Sequence, residues 1–587
     1  MESFDVIVVG AGWHGLAALK TYHQVHPNAT ILLIDSASSI GGVWATHCLY
    51  DGLKSNNMLG TYEFSDFPMD PATYGVQPGQ HIPGKVIQTY LQRFVKHFQL
   101  TDLIRLHTTV QTADHQSDGS WILTATSSST SPSPTQQIHT SKLILATGMT
   151  SQPYLPPIPG SDLYPHPILH TRDLLPHQPT LFHPTNRITI YGGTKSAWDA
   201  VYSATTSGAS VTWVIRSSGH GPCWMAPPYV TPLKRWLEKL VTTRLLTWFS
   251  PCIWGHADGY NLIRTFLHGT WLGRKLVDIF WSILEQDVTQ LNNYASHPET
   301  SKLKPWISPF WVASGLSILN YPTDFFTLVR SGKIRILIDE ITSLDSTGGI
   351  HLKNSGEILP SDALICATGW KVTPNMQFTP AGIDKELGFP WAEDSIPGSM
   401  VSAADEEILT RFPKLREAPT KKPEYMPLGE DAPATARHPF RLARFMVPPA
   451  LARERSVAVV GVAMTINTAL VAQVQALWVA AYLGDKMALK SGEVCPESLV
   501  EEVVGKREGE VDADVVWETA LHTQFGVHRY PGGFGSRNPD FVFDALAYVD
   551  LLLRDLGLDY SRKKGVLGWL RAYGMEDYRG LVEEWIG

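Results

Sequence analysis

The 587-residue chain lacks several features that would point to common functions. Its five cysteines (Cys48, Cys223, Cys252, Cys366 and Cys495) stand singly, and no two are spaced as Cys-x-x-Cys. A zinc ribbon and a local redox dithiol are therefore disfavoured, and the odd count suits a reducing, cytoplasmic setting better than a disulfide framework. Basic residues are not in excess: 48 Lys and Arg face 56 Asp and Glu, for a net charge of −8. With neither a basic balance nor a clustered basic patch, no nucleic-acid partner is expected. No basic n-region leads into an apolar run at the start, which disfavours a secretory signal. No tandem repeat, HExxH, paired-carboxylate motif or Ser/His/Asp constellation stands out, and no metal site is expected.

One apolar run is long enough to span a bilayer. Residues 456–484 carry no charge. The run reads better as a buried strand, Val457 to Val460, a turn at Gly461, and a helix interrupted by Gln473 and Gln475. No transmembrane span is therefore expected. The Trp-rich stretch from Trp236 to Trp281 contains Arg244, Asp258, Arg264 and Lys275. It reads as a helical cap and leaves a peripheral membrane contact open.

The chain is rich in apolar residues, 43% of the whole, enough for large cores. Phe4 to Val9, a helix from Gly15 to Val25, and Ile31 to Ile34 form a βαβ unit. Trp121 to Ala125 and Leu143 to Ala146 read as strands, with the Ser/Thr/Pro/Gln-rich 126–140 as a solvated loop between them. A second βαβ unit starts at Arg187-Ile-Thr-Ile190 and runs to Val211–Ile215. Strands resume at Ile334 and at Ala363. The Pro-, Lys- and Glu-rich 395–437 is expected to wind over the surface, and the tail after Asp540 to be helical. The fold class is α/β: two Rossmann-like dinucleotide-binding domains, a helical aromatic-rich insertion and a helical C-terminal tail. The expected division is 1–165, 166–350 with the insertion at about 229–311, 351–490, and 491–587.

Gly10-Ala-Gly12-Trp-His-Gly15 follows the first strand and opens a helix. Gly10 allows the tight turn, Gly12 the approach of a pyrophosphate, and Gly15 close helix–strand packing. Asp35 ends the next strand, placed to accept from ribose hydroxyls. Gly41-Gly42-Val43-Trp44 would let the chain hug a flat ligand. Gly192-Gly193-Thr194-Lys195-Ser196-Ala197 is a second, weaker phosphate loop, because the β-branched Thr194 stands where glycine is usual. Lys195 could add to a phosphate field or be an ordinary helix lysine. Arg216 directly follows the next strand, where a cation suits a 2′-phosphate and so NADPH rather than NADH.

Two dinucleotide loops without Cys-x-x-Cys suggest a relay from NADPH through FAD to O2. Here the chain resembles the class B flavoprotein monooxygenases, the flavin-containing monooxygenases and their Baeyer–Villiger relatives. The likeness rests on Gly10 to Gly15, Gly41-Gly-Val-Trp44, Asp66-Phe-Pro68, Ala146-Thr147-Gly148, the helix start at Lys195, Ala367-Thr-Gly-Trp370 and Gln475-Ala-Leu-Trp478. It runs in order over about residues 1 to 490, and its texture is closest to filamentous-fungal members that tailor secondary metabolites. The resemblance implies FAD contacts for Val110, Thr147, Gly148 and Gln475. It also implies oxygenation of a bulky apolar substrate through a C4a-(hydro)peroxyflavin. The family's FxGxxxH fingerprint maps onto Tyr164, His166 and His170 with only the histidine kept, and His170 reads as a structural link. In Tyr50-Asp-Gly-Leu-Lys-Ser-Asn56 the last position is an amide, as in flavin-containing monooxygenases, where Baeyer–Villiger enzymes carry an acid. Asn56, with Asn57 as the register alternative, is therefore the candidate catalytic residue, favouring oxygenation of N, S or activated carbon over insertion beside a ketone. A peroxide-producing oxidase and a non-catalytic FAD- or partner-binding protein are the competing readings.

Overall fold

The computed structural model describes every residue except 129–133, 231–233, 421, 427–435, 505–510, 541 and 566. Two largely parallel sheets organise it. The first runs Gln377–Thr379, Thr108–His115, Trp121–Ser127, Thr135–Leu145, Glu2–Val9, Ile31–Ile34, Ile104–Arg105. At its centre Val6 to Val9 pair in parallel with Ile31 to Ile34 on one side and Lys142 to Leu145 on the other. Strand Thr135–Leu145 divides its free edge. Its first half pairs antiparallel with Trp121 to Thr126, and Leu143 to Leu145 pair in parallel with Val457 to Val459. The β-branched runs are covered on both faces, as parallel strands require, and Val6, Ile7 and Val8 are fully buried. Helix α1 (Trp13–Val25) covers one face.

The second sheet, Ile334–Ile338, Ser210–Ile215, Arg187–Tyr191, Ala363–Cys366, Ile168–His170, is parallel throughout. Helix α2 (Lys195–Thr206) packs on it through Trp198 and Val201. The insertion is helical, with α3 (Asn261–Gly269) and the long α4 (Trp271–Asn292) forming a hairpin.

Two expectations need correction. Strands Trp121–Ser127 and Thr135–Leu145 take in much of the stretch assigned to a loop. Thr126 and Ser127 pair with Thr109 and Thr108, and Thr135 to Thr140 pair with Trp121 to Thr126, so ladders inside the sheet, invisible in the local composition, make these polar residues strand; 129–133 lie outside the described residues. The stretch 395–437 contains α5 (Gly398–Arg411), which buries Met400, Ala404 and Ile408 against a later helix. Those three residues have helical spacing that the surrounding charge obscured.

The uncharged run forms strand Val457–Val459 and helix α6 (Thr468–Leu483). Residues Ala469 to Leu483 of α6 are all buried, so the helix is apolar on every side because every side is packed. Among the described residues no helix is long and apolar enough to cross a membrane. The C-terminal part adds α7 (Ala513–Arg529), against which α5 packs, and α8 (Ala545–Asp555). Buried charges tie it to the rest. Arg244 of the insertion pairs with Asp550, and Arg444 pairs with Glu518 and, at 2.7 Å, with Asp555. The Arg529 guanidinium donates to Ser250 Oγ at 3.0 Å and to the Phe310 carbonyl.

Candidate functional site

The two glycine loops are built alike. Gly10 has φ +112°, and a Cβ there would lie 2.3 Å from the Ala146 carbonyl oxygen. Gly192 has φ +137°, and its Cβ would lie 2.4 Å from the Ala367 carbonyl oxygen. Each alanine opens an Ala-Thr-Gly segment at the end of the neighbouring parallel strand, and Gly148 and Gly369 have φ of +68° and +88°. The equivalence places both loops at the carboxyl ends of their strands, where open α/β sheets bind nucleotides.

In the first loop, Gly12 ends on the α1 N-terminus, where no side chain caps the first turn. Gly42, with φ +59°, faces it closely enough that an added Cβ would lie 3.0 Å from Gly12 Cα. This leaves open N–H groups and a cleft walled by bare backbone, a fit to the FAD pyrophosphate. Asp35 is held at the strand end: its Oδ2 accepts from the Ala11 N–H at 2.6 Å and its Oδ1 from the Ala37 N–H at 2.7 Å. Beside Gly42, Val43 is exposed, while Trp44 is buried and donates to Tyr62 Oη at 3.2 Å. Thr147 is half-buried, Gly148 exposed, and Val110 a buried strand residue facing Ala125.

In the second loop Thr194 adopts the extended backbone of Gly12 and likewise leaves its helix uncapped. The threonine is unstrained, so its cost is confined to the space its Cβ takes from a phosphate. Gly193 packs against the Gly221 carbonyl, and Ser196 is half-buried in the first turn of α2. Lys195 turns away along the helix to Asp199 and, at 3.0 Å, to Asn320 Oδ1. The Asn320 amide donates in turn to the Lys54 and Ser55 carbonyls, both at 3.2 Å. Lys195 thus links the second nucleotide loop to the strand Lys54–Met58, which carries Asn56. Arg216 donates to the Met426 carbonyl at 2.6 Å. Glu340, an acid on the same rim, accepts from the Ser218 N–H at 2.8 Å.

Asn56 and Asn57 play different parts. Asn56 is half-buried and donates to Ser317 Oγ at 3.1 Å. Asn57 is buried and donates to the Ile466 carbonyl at 3.0 Å, in the loop that follows the last strand of the first sheet. It also donates to Glu238 Oε1 at 2.5 Å. Glu238 was not foreseen, because a single acid in an aromatic stretch carries no motif. It is almost fully buried and also accepts from the Met58 N–H (3.0 Å), Thr61 Oγ1 (2.8 Å) and Trp236 Nε1 (2.8 Å). Burial raises its pKa against the pull of those four donors.

Ser317 and Ile466, the partners of the two asparagines, both line a cavity of about 50 Å³. Its other walls are apolar: Trp224, Leu237, Leu284, Val288 and, from the C-terminal part, Val542 and Phe543. The insertion and the tail are thus what encloses the space next to Asn56.

His170 is buried, and burial lowers its pKa. Its Nε2 lies 3.0 Å from the Gly369 carbonyl and its Nδ1 accepts from the Arg172 N–H at 3.2 Å. Both ring nitrogens are thus engaged by backbone groups, an arrangement that fits the expected structural link. Gln475 is fully buried; it donates to Tyr548 Oη at 2.9 Å and faces the Gly461 N–H at 3.5 Å, which sets the turn after the last strand.

Two glycine loops at strand ends, an apolar cavity between the insertion and the tail, and a sequence without Cys-x-x-Cys fit a two-dinucleotide flavoprotein oxidoreductase. A family profile described as "Pyridine nucleotide-disulphide oxidoreductase" matches residues 7–245. "FAD-dependent monooxygenase resA" of Aspergillus sclerotiorum is 32% identical over 99% of this chain and 98% of its own length. An "FAD-dependent monooxygenase" of Pyrenophora dematioidea is 33% identical over 96% of this chain and 100% of its own. The chain belongs to this family of FAD-dependent monooxygenases. Solved structures share the fold at low identity. Closed cyclohexanone monooxygenase has a TM-score of 0.55 at 14% identity, over 100% of this chain and 97% of that one. S-allyl-L-cysteine S-oxygenase from Allium sativum has a TM-score of 0.52 at 15% identity, over 99% and 92%.

Proposed function

We propose that the protein is an FAD- and NADPH-dependent monooxygenase that transfers one oxygen atom of O2 to a bulky apolar small molecule, as a tailoring step of secondary metabolism. The observation that carries this reading is the Asn56–Ser317 hydrogen bond at the wall of an apolar cavity. FAD would be held by Gly10, Gly12, Gly15, Asp35 and the Gly42–Trp44 turn, and NADPH by Gly192, Gly193, Ser196 and Arg216. Reduced FAD supplies the electrons that activate O2. The chain does the rest. Asn56 offers a neutral amide at the reacting face, able to donate without bringing a charge. Glu238 holds Asn57, and so the strand, in register. The cavity keeps water out, as an oxygen transfer that competes with peroxide release requires.

An amide in this place favours a nucleophilic N, S or activated carbon as the atom oxidised; insertion beside a ketone is the alternative. The test is a panel of apolar sulfides, amines and ketones with ¹⁸O2, scored for label in product and for peroxide formed per NADPH consumed. Labelled sulfoxide or hydroxylamine supports the reading, and labelled ester supports the ketone alternative. Peroxide alone would mean an oxidase. Bound FAD that neither nicotinamide reduces would bring forward the non-catalytic reading. Asn56→Ala should retain FAD and shift turnover from product to peroxide.

A further inference from the structure

Among the described residues, the cavity between α4 and Phe543 has two lining side chains with a polar atom, Trp224 and Ser317, and none that ionises. The indole of Trp224 is spent: its Nε1 donates to the Ile307 carbonyl at 2.7 Å. The Ile466 carbonyl accepts from Asn57. Ser317 is 4% exposed and uses its hydroxyl in one direction only. Its Oγ accepts from Asn56 Nδ2 at 3.1 Å, and its own proton meets no acceptor among the described residues. A hydroxyl is both donor and acceptor, so one donor is left over at the wall of an otherwise apolar space.

The donor is held in place from three directions. Strand Leu316–Ile318 pairs in parallel with Trp224–Ala226, which sets Ser317 opposite Met225. Just after that strand, Asn320 donates to the Lys54 and Ser55 carbonyls and ties the segment to the strand that carries Asn56. Asn56 itself supplies the third tie. A buried donor without an acceptor is costly, so a ligand that brings an acceptor recovers that cost and an apolar isostere does not. A charged ligand would give up its hydration to walls that offer no counter-charge.

We infer that Ser317 is the specificity-determining residue of this cavity, and that the substrate is a neutral, apolar molecule whose carbonyl or ether oxygen accepts from the Ser317 hydroxyl beside Asn56. That this ligand is the substrate rests on the proposed monooxygenase activity; the binding preference itself does not. Three bicycles of one shape test it: indane; phthalan, in which one methylene is an ether oxygen; and isoindoline, in which it is a nitrogen protonated at neutral pH. Dissociation constants for the FAD-loaded protein come from ligand-observed NMR titrations. The wild type should bind phthalan and indane and not isoindoline. Ser317→Ala should lower the phthalan-to-indane affinity ratio about fivefold with FAD content unchanged. If that variant fails to fold, Ser317→Cys, similar in shape and a weak donor, should lower the ratio in the same direction. Ala226→Leu, which fills the cavity from a buried wall position, should abolish binding of both neutral rings. Equal losses of phthalan and indane in the Ser317 variants would reduce the serine to a structural support and overturn the inference. So would a preference for isoindoline, binding that survives Ala226→Leu, or no binding of either neutral ring. Labelled product in the ¹⁸O2 panel from a protein that fails here would leave the monooxygenase reading standing. The phthalan preference without labelled product would uphold the Ser317 contact and sink that reading.

Discussion

Replacing Glu238 by glutamine tests whether a buried carboxylate sets the position of the asparagine strand. Glu238 Oε1 accepts from Asn57 Nδ2 and Thr61 Oγ1, and Oε2 accepts from the Met58 N–H and Trp236 Nε1. In glutamine one of these oxygens becomes an NH2. Toward Met58 and Trp236 it would face two donors that cannot turn round. Toward Asn57 and Thr61, the threonine can accept instead, and the asparagine amide can flip. The flip gives up the bond from Asn57 to the Ile466 carbonyl at 3.0 Å. The second arrangement is cheaper: one buried hydrogen bond lost and one carbonyl left open, about 2 kcal/mol. The expected result is a folded, FAD-containing protein, a few degrees less stable, that releases more peroxide per NADPH. Asn57→Ala should do the same, and the double variant should fall short of the sum because both changes break one network. Thermal melts followed by FAD fluorescence, paired with peroxide assays, measure both effects. Glu238→Gln with unchanged stability and coupling would refute the positioning argument.

Gly10→Ala should abolish FAD retention, since its Cβ would sit 2.3 Å from the Ala146 carbonyl oxygen; flavin absorbance of the purified variant checks this. Arg216→Ala should raise KM for NADPH about tenfold or more and leave KM for NADH nearly unchanged; equal effects would remove Arg216 from the 2′-phosphate. Burial pushes Asp544 up to about 7, with one oxygen bonded by Tyr530 and the other without a partner among the described residues. Its carboxyl is then protonated in the folded chain while ionised in the unfolded one, so its contribution is present at low pH and is lost as pH rises from about 4 towards 7. Asp544→Asn should gain stability relative to wild type as pH increases over that window; parallel melting profiles would refute the assignment.

The nucleotide loops were readable because their chemistry is local. A glycine at positive φ, a strand before it, a helix after it and an acid one strand on occupy about 30 consecutive residues. The buried nature of α6 was readable too, from polar residues set among apolar ones. The cavity was not. Its walls come from Trp224, Ile466 and Phe543, each unremarkable in its own segment and brought together only by the fold. Helix α5 was hidden because three buried residues do not outweigh a charged and proline-rich neighbourhood.

By itself the sequence determined two Rossmann-like halves, their order, and the glycine turns at the ends of their first strands, because backbone geometry and hydrogen bonding depend on near neighbours. Only the tertiary structure decided that Lys195 turns from the second glycine loop toward Asn320, that Asn57 is committed to Glu238 while Asn56 donates to Ser317 on the cavity wall, and that α4 carries a second, solvent-facing apolar stripe. Those outcomes depend on which side chains from distant segments compete for the same hydrogen bonds and the same buried volume.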